Sequence, residues 1–187
     1  MERTHKTQKI EKIENIEKIE MTKEELIVFL DLQPLPNEGG FYRETYRSPD
    51  RLNKESLPAR YSGARAVNTC IYYLVTADSF SAFHRLASDE IYHYYLGSVA
   101  DLFLIYPDGS LTTVTIGRDV YAGEQLQVVV PAGVWQALRV REGGDFTLVG
   151  CTVSPGFEFD DYEHGNWESL LRQFPDHHAE IMKLTRK

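Results

Sequence analysis

The chain has 187 residues, 42% hydrophobic and 12% aromatic, and 20 basic against 28 acidic side chains give a formal charge of −8. That length fits one domain able to bury a core without covalent staples, and the acidic balance, with no basic stripe, excludes nucleic acid as an expected partner. No apolar run approaches the roughly 18 residues of a membrane span, the charged N-terminus has no apolar core of a secretory signal, and two cysteines, Cys70 and Cys151, make no disulfide framework; a soluble cytoplasmic protein without membrane contact is expected.

Residues 1–20 are biased, with KIEKIENIEKIE placing Ile10, Ile13, Ile16 and Ile19 at a strict spacing of three. That spacing drifts around an α-helix instead of holding one face, so the segment reads as a disordered or fraying extension ahead of a single domain over residues 21–187. Thr22-Lys-Glu-Glu25 fits a capping box, and Leu26, Ile27, Phe29 and Leu30 continue it into a short helix over residues 22–31, stopped by Pro34 and Pro36.

The texture then changes. Short runs rich in Tyr, Val, Thr, Phe and Ile, punctuated by Gly, Pro, Asp and Asn, predict about nine strands between residues 39 and 155. They are Phe41–Tyr46, Ala66–Val75, Ser79–His84, Ile91–Leu96, Asp101–Ile105, Leu111–Ile116, Leu126–Val130, Gln136–Val140 and Phe146–Val153. With no helices interleaved, the pattern argues for an antiparallel sandwich or barrel, and Pro107-Asp108-Gly109 reads as a tight hairpin turn. Beyond Pro155, Trp167–Phe174 and Asp176–Leu184 read as two short helices, within residues 166–185, broken at Pro175.

A barrel of this size encloses packed side chains or one small ligand, so polar residues spaced to face its lumen are the candidates. Two stretches carry most of them, Phe80 to Gly97 and Gly123 to Gln136. Together they resemble the cupin superfamily, whose two motifs run G(x)5HxH(x)3-4E(x)6G and G(x)5PxGxxH(x)3N. His84, Glu90 and Gly97 match the first motif; Pro131 and Gly133 match the turn of the second. Leu86 stands where the second histidine belongs, Gln136 where the third does and Val140 where the asparagine does.

EGGFYRETYRS at 38–48, the stretch 71–97, VVPAGVWQA at 129–137 and GCTVSPGFEFDDYE at 150–163 are similar to a poorly characterised branch of short cupin-like proteins with a domain-of-unknown-function designation. The resemblance implies a mainly β fold, a double-stranded β-helix or jelly-roll barrel with short flanking helices at both ends, and a homodimer. It implies no particular activity. Superfamily members commonly hold a metal through three histidines and a glutamate, and this chain offers one motif histidine, one carboxylate and one carboxamide. No cofactor is therefore expected beyond a loosely bound divalent transition metal, whose ligands would be His84, Glu90 and Gln136.

Strand alternation puts Tyr92 and Tyr94 on the face of Glu90 and His93 on the other face. A neutral His84 beside Glu90 is a candidate general base, with Tyr92 as the acid; cupin-fold sugar epimerases resemble this plan. Gln136, Tyr94, Gln127 and Arg43 are candidate ligand-binding residues, although Arg43 and Glu44 also read as a surface pair and Gln127 also reads as outward-facing. Three readings stay open. One is a metal-independent isomerase or epimerase acting on a small polar, carbohydrate-like ligand. The others are a non-catalytic metabolite-binding module and a degenerate metal-dependent enzyme such as a dioxygenase. No Ser-His-Asp elbow, P-loop or dinucleotide fingerprint is present.

Overall fold

The structure is a computed structural model, and it describes residues 21–186. The 1–20 extension lies outside the described residues. Helix α1 spans Lys23–Phe29, and both halves of the capping box form: Glu25 N donates to Thr22 Oγ1 at 3.2 Å and Thr22 N to Glu25 Oε2 at 2.9 Å. The chain then runs through β1 (Gln33–Pro34), β2 (Phe41–Arg47), β3 (Arg51–Leu52), β4 (Arg65–Ala66), β5 (Thr69–Thr76), β6 (Ser81–Leu86) and β7 (Asp89–Gly97). There follow β8 (Ala100–Ile105), β9 (Leu111–Ile116), β10 (Gln127–Val130), β11 (Trp135–Val140), β12 (Phe146–Ser154) and β13 (Tyr162–His164). Helices α2 (Trp167–Gln173) and α3 (His178–Leu184) end it, separated by a 3-10 turn at Pro175–His177, where proline breaks the helical hydrogen bonding.

All sheet pairings are antiparallel. One sheet has the order β1-β2-β5-β12-β7-β10 and the other β13-β6-β11-β8-β9. Because side chains alternate along a strand, each sheet sends one row inward. Tyr73, Val75, Tyr92, Val128, Val130, Val149 and Cys151 of the first sheet meet Leu102, Leu104, Leu138 and Val140 of the second in the central core. Every residue of β8 is buried because α2 and α3 cover its other face, packing Leu170, Phe174, Ile181 and Leu184 on Phe83, Phe103, Ile105 and Trp135. Helix α1 closes part of the first sheet's outside through Leu26 against Leu74 and Leu148.

The expected run Ala66–Val75 is interrupted, because Val67 and Asn68 separate β4, which pairs with β3 in a two-stranded sheet of its own, from the long β5. The expected strand Ser79–His84 lies two residues further on, at Ser81–Leu86, since residues 77–80 make the turn out of β5. Strand β2 and the outward Ile91, His93 and Tyr95 of β7 form no continuous outer stripe, because β5 and β12 stand between β2 and β7. No helix among the described residues is long and apolar enough to cross a membrane.

Candidate functional site

Between the two sheets, at the end where β6 and β7 meet, lies a cavity of about 500 Å³. His84 and Leu86 reach it from β6, Glu90 and Tyr92 from β7, Tyr73 from β5 and Cys151 from β12. Its mouth is built by Glu38 before β2, by Tyr42, Glu44 and Arg47 of β2, and by Phe157, Glu158, Phe159 and Tyr162 after β12.

His84 is 2% exposed. Its Nδ1 lies 2.8 Å from the carbonyl of Ala82. A carbonyl only accepts, so Nδ1 carries the proton and Nε2 is the basic nitrogen of the neutral ring. Nε2 sits 3.8 Å from Glu38 Oε2 with no hydrogen-bond partner among the described residues. The Tyr162 ring stacks on the imidazole at 5.4 Å, and Tyr162 Oη in turn meets His164 Nδ1 at 2.9 Å. Glu38 Oε1 accepts from Ser81 Oγ at 2.8 Å.

Glu90 is equally enclosed. Gln136 Nε2 donates to its Oε2 at 2.7 Å, and the opposite amide oxygen, Gln136 Oε1, is buried without a partner. Burial pushes the Glu90 carboxyl above the usual carboxylate range, with His84 and Gln136 opposing the rise and Glu38 adding to it. Burial, and then the charge of Glu90, push the Tyr92 phenol well up, so it stays a protonated donor. The Cys151 thiol is raised in the same way and is no nucleophile at neutral pH.

The sequence reading therefore meets corrections at Gln136, Gln127, Arg43 and Tyr94. His84 and Glu90 line one cavity, but from facing sheets, joined through Gln136. Gln136 lies behind Glu90, out of the cavity lining. Gln127 points outward, donating to His93 Nδ1 at 3.2 Å, because Val128 and Val130 take the inward positions of β10. Arg43 is also outside, over the ring of Tyr72 at 5.6 Å, while its neighbours Tyr42 and Glu44 face the cavity. Tyr94 is on the inner face, yet it lies off this cavity, with its hydroxyl donating to Gly97 O at 2.6 Å. Arg47, not Arg43, pairs with Glu44, through Nε at 3.0 Å and Nη2 at 2.8 Å.

Glu38, Tyr73 and Tyr162 are the wall residues that sequence reasoning missed. The signal for Glu38 was its following pair, Gly39 and Gly40, at φ 99° and 70°, since only glycine enters that region at no steric cost. A side chain at Gly39 would overlap the guanidinium of Arg186, which donates to Phe80 O at 3.0 Å. Arg186 Nη2 and Ala82 N also donate to the Glu38 carbonyl, at 3.3 and 2.9 Å, and hold Glu38 against the sheet.

The metal set of the fold family is not reproduced. Leu86 puts an aliphatic wall two residues from His84 on the same strand face, Gln136 is turned toward Glu90, and among the described residues no three His, Cys, Asp or Glu groups are disposed around a common point. The proposed set of His84, Glu90 and Gln136 does not fit a tightly held ion.

A model of the cupin superfamily family DUF985 matches residues 24–165. The chain belongs to that family. An uncharacterised protein of Saccharomyces cerevisiae, YML079W, is 34% identical, with 77% of each chain covered. Among solved structures, protein SO0799 from Shewanella oneidensis is 38% identical with a TM-score of 0.80, covering 89% of this chain and 98% of its own. A hypothetical protein from Leishmania major is 34% identical with a TM-score of 0.81, covering 89% and 100%. The cupin barrel and the family are thus both in place, and the names of these three relatives assign no reaction.

Proposed function

We propose that the cavity binds a small polar molecule and moves a proton on it without a metal, as an isomerase or epimerase does. The observation that carries this reading is the opposition of His84 and Tyr92, a basic nitrogen without a hydrogen-bond partner among the described residues on one sheet and a protonated phenol on the other. His84 Nε2 takes the proton from a carbon next to a carbonyl. The C–H electron pair moves into the carbonyl as an enolate, whose oxygen is stabilised by a donor. Tyr92 then returns a proton from the opposite face, which inverts the carbon, and recovers its own from the imidazolium through solvent. Glu38 and the Ala82 carbonyl hold the imidazole in register and stabilise its positive form. The apolar and aromatic wall suits a sugar-sized ligand.

The test is solvent exchange. Aldoses, ketoses and amino sugars incubated with the protein in D₂O should include one whose carbon-bound proton washes out, and His84→Gln and Tyr92→Phe should each slow that exchange by about 10²-fold or more. Exchange that survives both substitutions would overturn the reading. A molecule that raises the Tm and is recovered unchanged and unexchanged would make the protein a binding module.

The same reading includes a homodimer and a reducing, cytoplasmic setting. The first sheet presents Tyr46, Tyr95 and Val129 exposed on its outer face, and Cys70 and Cys151 are free thiols. Light scattering that gave a monomer mass at high concentration would remove the dimer.

A further inference from the structure

The charges around the cavity do not balance. Four carboxylates line it, Glu38, Glu44, Glu90 and Glu158, against the single guanidinium of Arg47, leaving a formal charge of −3 when His84 is neutral. Arg47 is already committed: it serves Glu44 twice, Glu158 through Nη1 at 2.9 Å and the Phe157 carbonyl through Nη2 at 3.1 Å. Arg51 approaches Glu158 only at 3.9 Å, and Arg186 is spent on the carbonyls of Glu38 and Phe80. No free cation remains among the lining residues to meet a phosphate or carboxylate.

Two further observations point to a ligand. His84 Nε2 and Tyr92 Oη belong to side chains 2% and 1% exposed, line the cavity, and have no hydrogen-bond partner among the described residues. Buried polar atoms are normally satisfied, so an unpartnered pair facing one void marks a place for a polar guest. Around them stand the rings of Tyr42, Tyr73, Phe157, Phe159 and Tyr162. Ring faces attract cations, and an aromatic wall that carries carboxylates is the standard solution for holding an organic ammonium group.

We infer that the ligand of this cavity is a small organic cation, an amine-bearing polar molecule whose ammonium group sits between Glu38 and the aromatic mouth. The inference builds on the ligand-binding reading above and names its charge class. A bare metal ion would meet the same negative field, but it finds no three converging donors among the described residues. An ammonium needs no such convergence, because hydrogen bonds from its protons and the surrounding ring faces suffice. An anionic ligand would meet repulsion from all four carboxylates.

Binding of matched probes to the whole chain, read by ligand-observed NMR and calorimetry, tests this. Glucosamine at neutral pH and tetramethylammonium should bind about ten-fold or more tighter than glucose, and gluconate should not bind. Glu38→Gln should weaken both cations about ten-fold more than it weakens glucose; should that variant fail to fold, Tyr42→Leu removes a ring face instead and should weaken tetramethylammonium most. Equal affinities for glucosamine and glucose, tighter binding of gluconate, Mn²⁺ displacing both amines at lower concentration, or no saturation by either amine up to about 100 mM would each overturn the inference. Cation preference without solvent exchange leaves it standing and rejects the isomerase; exchange on a neutral sugar with no cation preference rejects this inference alone.

Discussion

Arg65 and Asp161 form the most enclosed ion pair among the described residues, and its removal should be the most damaging single change near the site. Nε donates to Oδ2 at 2.6 Å and Nη2 to Oδ1 at 2.7 Å, with both side chains 3% exposed. Arg65 adds bonds to the Ala64 carbonyl and Ser62 Oγ, and the Asp161 carbonyl accepts from Ala87 N. The pair pins the segment that ends in Tyr162, the ring stacked on His84. Asp161→Leu leaves a buried guanidinium with no counter-charge, a change that costs about 3–5 kcal/mol. For a chain of this length each kcal/mol lowers the Tm by about 2–4 °C, so the expected loss is roughly 6–20 °C. The double variant Arg65→Leu with Asp161→Leu removes both charges and should recover most of that loss, since two apolar groups no longer oppose desolvation. Calorimetry on the four members of the cycle decides it. A single variant within about 1 kcal/mol of the parent, or a double variant as unstable as the worse single, would refute the reasoning.

Three other outcomes follow from the cavity. The Glu90 carboxyl is raised in the folded state, so its stabilising contribution is full below about pH 4.3, the unfolded value, and drains away as pH rises through the folded one. Glu90→Gln removes that slope, and its gain in Tm over the parent should grow from acid toward neutral pH; a gain that is constant across a pH series of melts would contradict it. Gln136→Leu strips Glu90 of its 2.7 Å donor and should cost about 1–3 kcal/mol at neutral pH by urea unfolding, an effect absent if the amide contributes nothing. Leu86→His returns a second imidazole to the strand face of His84 and should tighten Co²⁺ binding about ten-fold or more, visible in the metal's absorption bands; unchanged spectra would show that more than one missing ligand separates this site from a metal centre.

The barrel was legible in the chain because period-two alternation and turn residues act locally. Thr22 and Glu25 announced a capping box that forms with both bonds, and Pro107-Asp108-Gly109 announced a turn that closes with Gly109 N donating to Tyr106 O at 2.9 Å. His84 and Glu90 were legible through the cupin motif they match, and Tyr92 through alternation from Glu90, since a strand that buries one member of its row buries the rest. The limit came where facing depends on a partner strand. In β2, polar residues occur on both faces, so nothing in FYRETYR says whether Arg43 or Glu44 looks inward; the register Arg43↔Tyr72 with β5 decides it, and that is a long-range fact. In β10, Val129 and Val130 are alike, so Gln127 cannot be placed until His93 is opposite it.

What the family motif hides is that its two sheets contribute different chemistry. Read along the chain, His84 and Glu90 are six residues apart and invite a picture of neighbours sharing one wall. In space β6 and β7 belong to different sheets, and the link between the two side chains passes through Gln136, which is opposite His84 in β11 and hydrogen-bonded to Glu90. The carboxamide that replaces the third motif histidine thus fastens one sheet's carboxylate to the other sheet's strand. This frees His84 Nε2 for the cavity and removes the two donors a metal would need. Replacing Gln136 by His would test that division of labour: it should cost Glu90 its amide partner without giving His84 a metal, because Leu86 still fills the remaining seat. Tight Co²⁺ binding by Gln136→His alone would show that the leucine is no barrier and that the amide was the only obstacle.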